Sequence, residues 1–151
     1  MTNEAREVAS TEAGRAIIAA AEAILADAAA RDRTLLGARI TAIGWATVDL
    51  ERAERDIGEA LGVELDTKPS PRERKLGATA RTTHVFGDGP ALTLLEPDTE
   101  GRLAGILARH GEGVAMVVVA AGYRTRRLVL TSAPGGRPPT AIVGRQPSAS
   151  G

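Results

Sequence analysis

Between Thr11 and about Arg33, apolar residues fall three or four positions apart: Ile17, Ile18, Ala21, Ile24, Leu25 and Ala28. That spacing lays one apolar stripe along a helix, with Thr11 as its N-cap and Glu12 facing the positive end of the helix dipole. The stripe suits a helix packed on its own domain. Its near-heptad spacing over two to three turns also suits a dimerisation helix. Residues 1 to 10 are polar and expected to be disordered. "ARITAIGWATV" (38–48) then shifts to β-branched content and predicts a strand. "DLERAERDIGEALG" returns to helical spacing: Asp49 caps it, Leu50, Ala53, Ile57, Ala60 and Leu61 form the inward face, and Gly62 ends it. Glu51, Arg55 and Glu59 stand four apart on the solvated side.

"VELDTKPSPRERK" (63–75) begins like a strand, but prolines and basic residues follow, predicting an exposed loop. "ATARTTHVF" (78–86) and "ALTLLE" (91–96) read as strands joined by the turn "GDGP", where Gly87 and Gly89 suit positive φ. Asp98 or Thr99 is expected to cap a short helix with Leu103, Ile106 and Leu107 inward, and Gly111 to stop it. "VAMVVVA" has no polar face, so it predicts a strand covered on both sides. "RRLVLTSA" and "TAIVGRQ" are weaker strands around the turn "PGGRPP", and the tail 147–151 is expected to be disordered. The pattern predicts one α+β domain over 11–146: an N-terminal helix (11–33), a βαβββ module (38–96), then a helix and a partial second module (98–146).

Composition narrows the chemistry. The 151 residues suffice for one domain with a real core. Lys plus Arg and Asp plus Glu balance at 19 each, which argues against a field that gathers nucleic acid or anionic membrane. One Trp, one Tyr and one Phe leave little for base stacking. Cysteine is absent, which removes disulfides, thiolate ligands and cysteine nucleophiles. The longest apolar run is about half of the roughly 20 residues a membrane helix needs, and no charged-then-apolar leader opens the sequence. A cytoplasmic protein with no nucleic-acid or membrane partner is the expectation. "RTRR" (124–127) suits either contact with phosphates of a nucleotide or coenzyme A, or a charged strand edge.

"ITAIGWATVDLERAERDIGEALG" resembles the opening βα unit of the vicinal oxygen chelate superfamily, the glyoxalase and bleomycin-resistance fold. "LTLLEPDTEGRLAGILARHGEGV" is similar to the segment that joins the two βαβββ modules of methylmalonyl-CoA epimerases. The resemblance covers about residues 38 to 120. It implies a βαβββ module with an added N-terminal helix and a shortened second half, since "AGYRTRRLVLTSA" leaves no room for another helix. The family holds a divalent metal inside a cupped sheet. The corresponding positions here carry Ala42, Thr93 and either Ala115 or Met116, which offer no carboxylate or imidazole. No metal and no cofactor is therefore expected. Glu73 falls near a catalytic carboxylate of the epimerases.

Metal-free proton transfer needs a carboxylate or imidazole tuned by its pocket. His84 on the second module strand, and Glu96 and Glu112 at either end of the short helix, are the catalytic candidates. Each also has a structural reading, as a strand histidine or as turn carboxylates. Strand alternation nominates Trp45, Thr82, His84 and Thr93 as pocket-lining residues, with His84 sharing a face with Thr82 and Phe86. Trp45, Thr82 and Thr93 are the substrate-binding candidates, joined by Met116, which the resemblance places at a former ligand position. Expected functions are a metal-independent isomerase, lyase or cyclase acting on a small organic acid, ketone or acyl thioester, a protein that sequesters a hydrophobic small molecule, or a non-catalytic subunit of a heteromer. The half-open sheet predicts a homodimer.

Overall fold

A computed structural model describes residues 3–99 and 101–130. Helix α1 (Asn3–Ser10) and helix α2 (Glu12–Ala29) meet at Thr11, whose hydroxyl accepts a hydrogen bond from the Gly14 amide at 2.9 Å. The disorder expected for the first ten residues is thus corrected over 3–10, where Ala5 and Val8 are buried and α1 packs on α2. A Cβ on Gly14 would lie 2.1 Å from the Val8 carbonyl oxygen, so only glycine permits this close turn between the helices. The α2 stripe of Ile17, Ala21 and Ile24 is buried against the sheet of its own domain.

Strand β1 (Arg39–Ala46) leads through an Asp49-capped turn into α3 (Leu50–Leu61). Gly62 ends α3 in the left-handed region, at φ 77°, and its amide bonds back to the last turn. Strands β2 (Lys68–Glu73), β3 (Ala78–Thr83) and β4 (Ala91–Pro97) follow, then α4 (Arg102–His110), β5 (Gly113–Ala121) and β6 (Arg124–Val129). They form one six-stranded sheet in the order β2-β3-β4-β1-β5-β6. β1 and β4 are parallel, as the α3 crossover requires, and every other neighbouring pair is antiparallel. The protein is an α+β domain.

Three local expectations are corrected. Residues 68–73 are a strand and not a loop. β2 is an edge strand, where Pro69 and Pro71 need no ladder partner on the outer side. Neither Asp98 nor Thr99 caps α4: Gly101 holds that position, while Asp98 pairs with Arg72 and its amide bonds the Gly77 carbonyl at 2.8 Å. Of the two hairpin glycines, Gly87 has positive φ and Gly89 does not. "TAIVGRQ", "PGGRPP" and the tail lie outside the described residues.

The sheet separates two cores. Trp45, Ile43, Leu92, Leu94, Val117 and Val119 face α1, α2 and α3. Ala46, Leu95, Ala78, Ala80, Ala115 and Met116 face the other way, where Leu103 and Ile106 of α4 cover one end. β5 is therefore packed on both faces, as its unbroken apolar run predicts.

Candidate functional site

The face away from α1–α3 is concave. Five inter-strand spacings would set the edges of a flat sheet about 24 Å apart. Yet Glu73 on edge strand β2 lies 2.8 Å from the Arg127 guanidinium on edge strand β6. Only a sheet curled toward this face brings those side chains together.

Register sets the lining. Gly44 of β1 pairs with Thr93 of β4 on one side and Met116 of β5 on the other, and Thr93 pairs with Thr82 of β3. The Thr82 and Thr93 hydroxyls are 3.2 Å apart, and Ser70 of β2 bonds Thr82 from the other side. Three hydroxyls thus run from the middle of the sheet to its edge. Around them are Ala42, Val118 and Val129, and deeper in lie Ala46, Leu95 and Ala80. A Cβ at Gly44 would meet Met116 Cε at 2.9 Å and Leu95 Cδ1 at 3.0 Å, so those two side chains lie directly over the glycine.

Of the nominated lining residues, Thr82, Thr93 and Met116 share this face. Trp45 does not: it pairs with Leu94 and is buried among the helices, its indole N–H without a hydrogen-bond partner. His84 lies beyond the end of β3, exposed at the start of the hairpin turn, where its carbonyl accepts the Gly87 amide at 2.9 Å. Phe86 is buried on the helix side, so the alternation expected to unite Thr82, His84 and Phe86 breaks where β3 ends.

Glu96 and Glu112 converge on the start of α3. Glu96 accepts the Leu50 amide at 3.0 Å, and Glu112 accepts the Val48 amide at 3.3 Å and pairs with Arg52. Asp49 takes the Arg52 amide at 3.1 Å. A helix N-terminus carries unsatisfied N–H groups and partial positive charge, and these carboxylates answer both. The hydrogen bond that Arg52 donates to Glu112 is the main reason that the Arg52 pKa is raised. Both glutamates hold the β1–α3 turn rather than the concave face.

Glu73 and Arg127 supply the charge on that face, and Ser70 completes its hydroxyl row. Sequence alone left Arg127 inside an undivided basic run. The alternation of β6 splits it: Arg126 reaches Asp32 at 3.0 Å on the helix side, and Arg127 reaches Glu73 on the concave side. Ala42, Thr93 and Met116 do not suit a hard divalent ion, offering one hydroxyl already engaged with Thr82 and one thioether. Among the described residues no three His, Asp or Glu side chains are grouped to hold a metal, and no helix is long and apolar enough to cross a membrane. A second hollow of about 680 Å³ lies outside α3, lined by Glu54, Glu59, Glu64, Arg55 and Arg81 among others. Its network, Glu54 to Thr67 at 2.7 Å and Thr67 to Arg81 at 3.0 Å, ties α3 to β3. No family model, curated protein or solved structure matches the chain.

Proposed function

We propose that this protein binds an apolar small molecule on the concave face of its sheet and holds it without chemistry. One observation carries the reading: the face is aliphatic with a row of three hydroxyls, while His84, Glu96 and Glu112 stand elsewhere. Aliphatic walls with a few convergent polar groups are what small-molecule sites require. The fold proposed is a vicinal oxygen chelate module without its metal. The β-α-β-β-β order from β1 to β4, the parallel β1–β4 pair, and the common face of Ala42, Thr93 and Met116 support it. A homodimer goes with this reading, the second copy covering the open part of the concave face; light scattering that finds a monomer at micromolar concentration contradicts it.

The isomerase or lyase reading keeps one supporting observation. Glu73 Oε1 is buried over the concave face and has no directed hydrogen bond, as suits a base awaiting a substrate proton. An acyl thioester or ketone is then the substrate class, and Glu73→Gln abolishes turnover while leaving binding intact.

Titration calorimetry with octanamide, an apolar neutral probe, tests the binding reading. The wild type binds it, and Ala42→Phe, which fills the half-open part of the face, loses binding while its circular dichroism is unchanged. Absence of binding to the wild type, or full binding by the folded Ala42→Phe variant, overturns the proposal.

A further inference from the structure

Arg127 is an exposed cation at the sheet edge whose neighbours on the concave side are apolar. Its register partner on β5 is Val118, its neighbour on the same face of β6 is Val129, and Ala42 stands one strand further in. Its counter-ion comes from the opposite edge of the sheet. That pairing is incomplete: Glu73 Oε1 lies 2.8 Å from Arg127 Nη2, yet is buried and accepts no directed hydrogen bond. A guanidinium offers five N–H donors in a planar fork and reaches full strength with a carboxylate that approaches in its plane with both oxygens. Glu73, tethered to another strand, does not provide this.

We infer that the ligand of the concave face is an apolar monocarboxylate, whose carboxylate replaces Glu73 as the partner of Arg127. This rests on the binding reading above. The exchange swaps one carboxylate for another beside the same guanidinium, and the ligand gains the forked geometry that Glu73 lacks. The displaced Glu73 moves toward solvent at the sheet edge. The hydroxyls of Ser70, Thr82 and Thr93 serve a second polar group, such as a carbonyl, further along the ligand.

The test uses the full chain and matched probes: octanoate, octanamide and octylammonium, with phenylpropionate and phenylpropionamide as a second skeleton. Calorimetry on the wild type gives at least tenfold tighter binding of each carboxylate than of its amide. Arg127→Gln brings each pair within twofold and leaves amide affinity unchanged. Glu73→Gln, which removes the internal competitor, tightens octanoate several-fold. Where Arg127→Gln fails to fold, Arg127→Lys keeps the charge without the fork and lowers octanoate affinity at least threefold. Equal affinity for carboxylate and amide, preference for octylammonium, or a carboxylate preference that survives Arg127→Gln or Arg127→Lys overturns the inference while apolar binding stands. Binding of no probe at all removes the concave-face reading and this inference with it.

Discussion

Glu96→Ala separates a structural carboxylate from a catalytic one. The Leu50 amide is among the first four of α3, which have no partner within the helix, and Glu96 accepts it at 3.0 Å in a partly buried setting. A hydrogen bond to a charged group contributes about 1.5–3 kcal/mol, and a carboxylate at a helix N-terminus about 0.3–1 kcal/mol. These overlap, since one oxygen serves both roles, and Asp49 still caps the Arg52 amide in the variant. The expected loss is about 2 kcal/mol for Glu96→Ala. It is about half that for Glu96→Gln, whose amide oxygen still accepts but carries no charge. Equilibrium urea unfolding reads this as a lower midpoint at unchanged slope, and thermal melting as a fall of about 8 °C at roughly 4 °C per kcal/mol. Octanamide affinity stays at the wild-type value. Stability of Glu96→Ala within about 0.5 kcal/mol of wild type refutes the capping role. So does a loss of ligand binding without a loss of stability.

Three further outcomes follow from the same geometry. Gly62→Ala lowers stability by about 1 kcal/mol through backbone strain at φ 77°, because an added Cβ there meets nothing within 4 Å; urea unfolding measures it. Met116→Ala costs about 2–4 kcal/mol as a buried truncation and opens space over Gly44, so octanamide binds more tightly to it in calorimetry. The Asp32 carboxyl titrates below the ordinary aspartate value, chiefly because the Thr34 hydroxyl bonds it, then Arg126 and the Thr34 amide. Its folded-state pKa is depressed, so its stabilising effect is complete above the ordinary value and fades as pH falls through the lowered one. A carboxyl NMR titration shows this, and Thr34→Val moves the midpoint upward.

The parts of the fold legible in the sequence are those fixed by neighbouring residues. Asp49 and Gly62 mark both ends of α3 because capping and left-handed termination are local chemistry. The two-sided burial of β5 follows from its unbroken apolar run. β2 was hidden because prolines are compatible with a strand only at an edge, and edge position is a property of the whole sheet. The lining of the concave face was half legible. Thr82 and Thr93 follow from alternation, but Trp45 faces the helices because the β1–β4 register sets Gly44, and not Trp45, beside Thr93. The Glu73–Arg127 pair joins opposite edges of a curled sheet, and no local pattern encodes that curl. Glu96 and Glu112 have the right chemical type for acid–base work, and only the packing of β4 and of the α4–β5 turn against α3 shows what occupies them.

Chemical-shift mapping of the isotope-labelled full chain with octanoate tests the central claim most directly. The account predicts that the largest perturbations fall on the concave face, at Thr82, Thr93, Met116, Val118 and Arg127. Perturbations gathered instead at Glu54, Val63, Leu65 and Arg81 in the hollow outside α3, or none at saturating probe, contradict it.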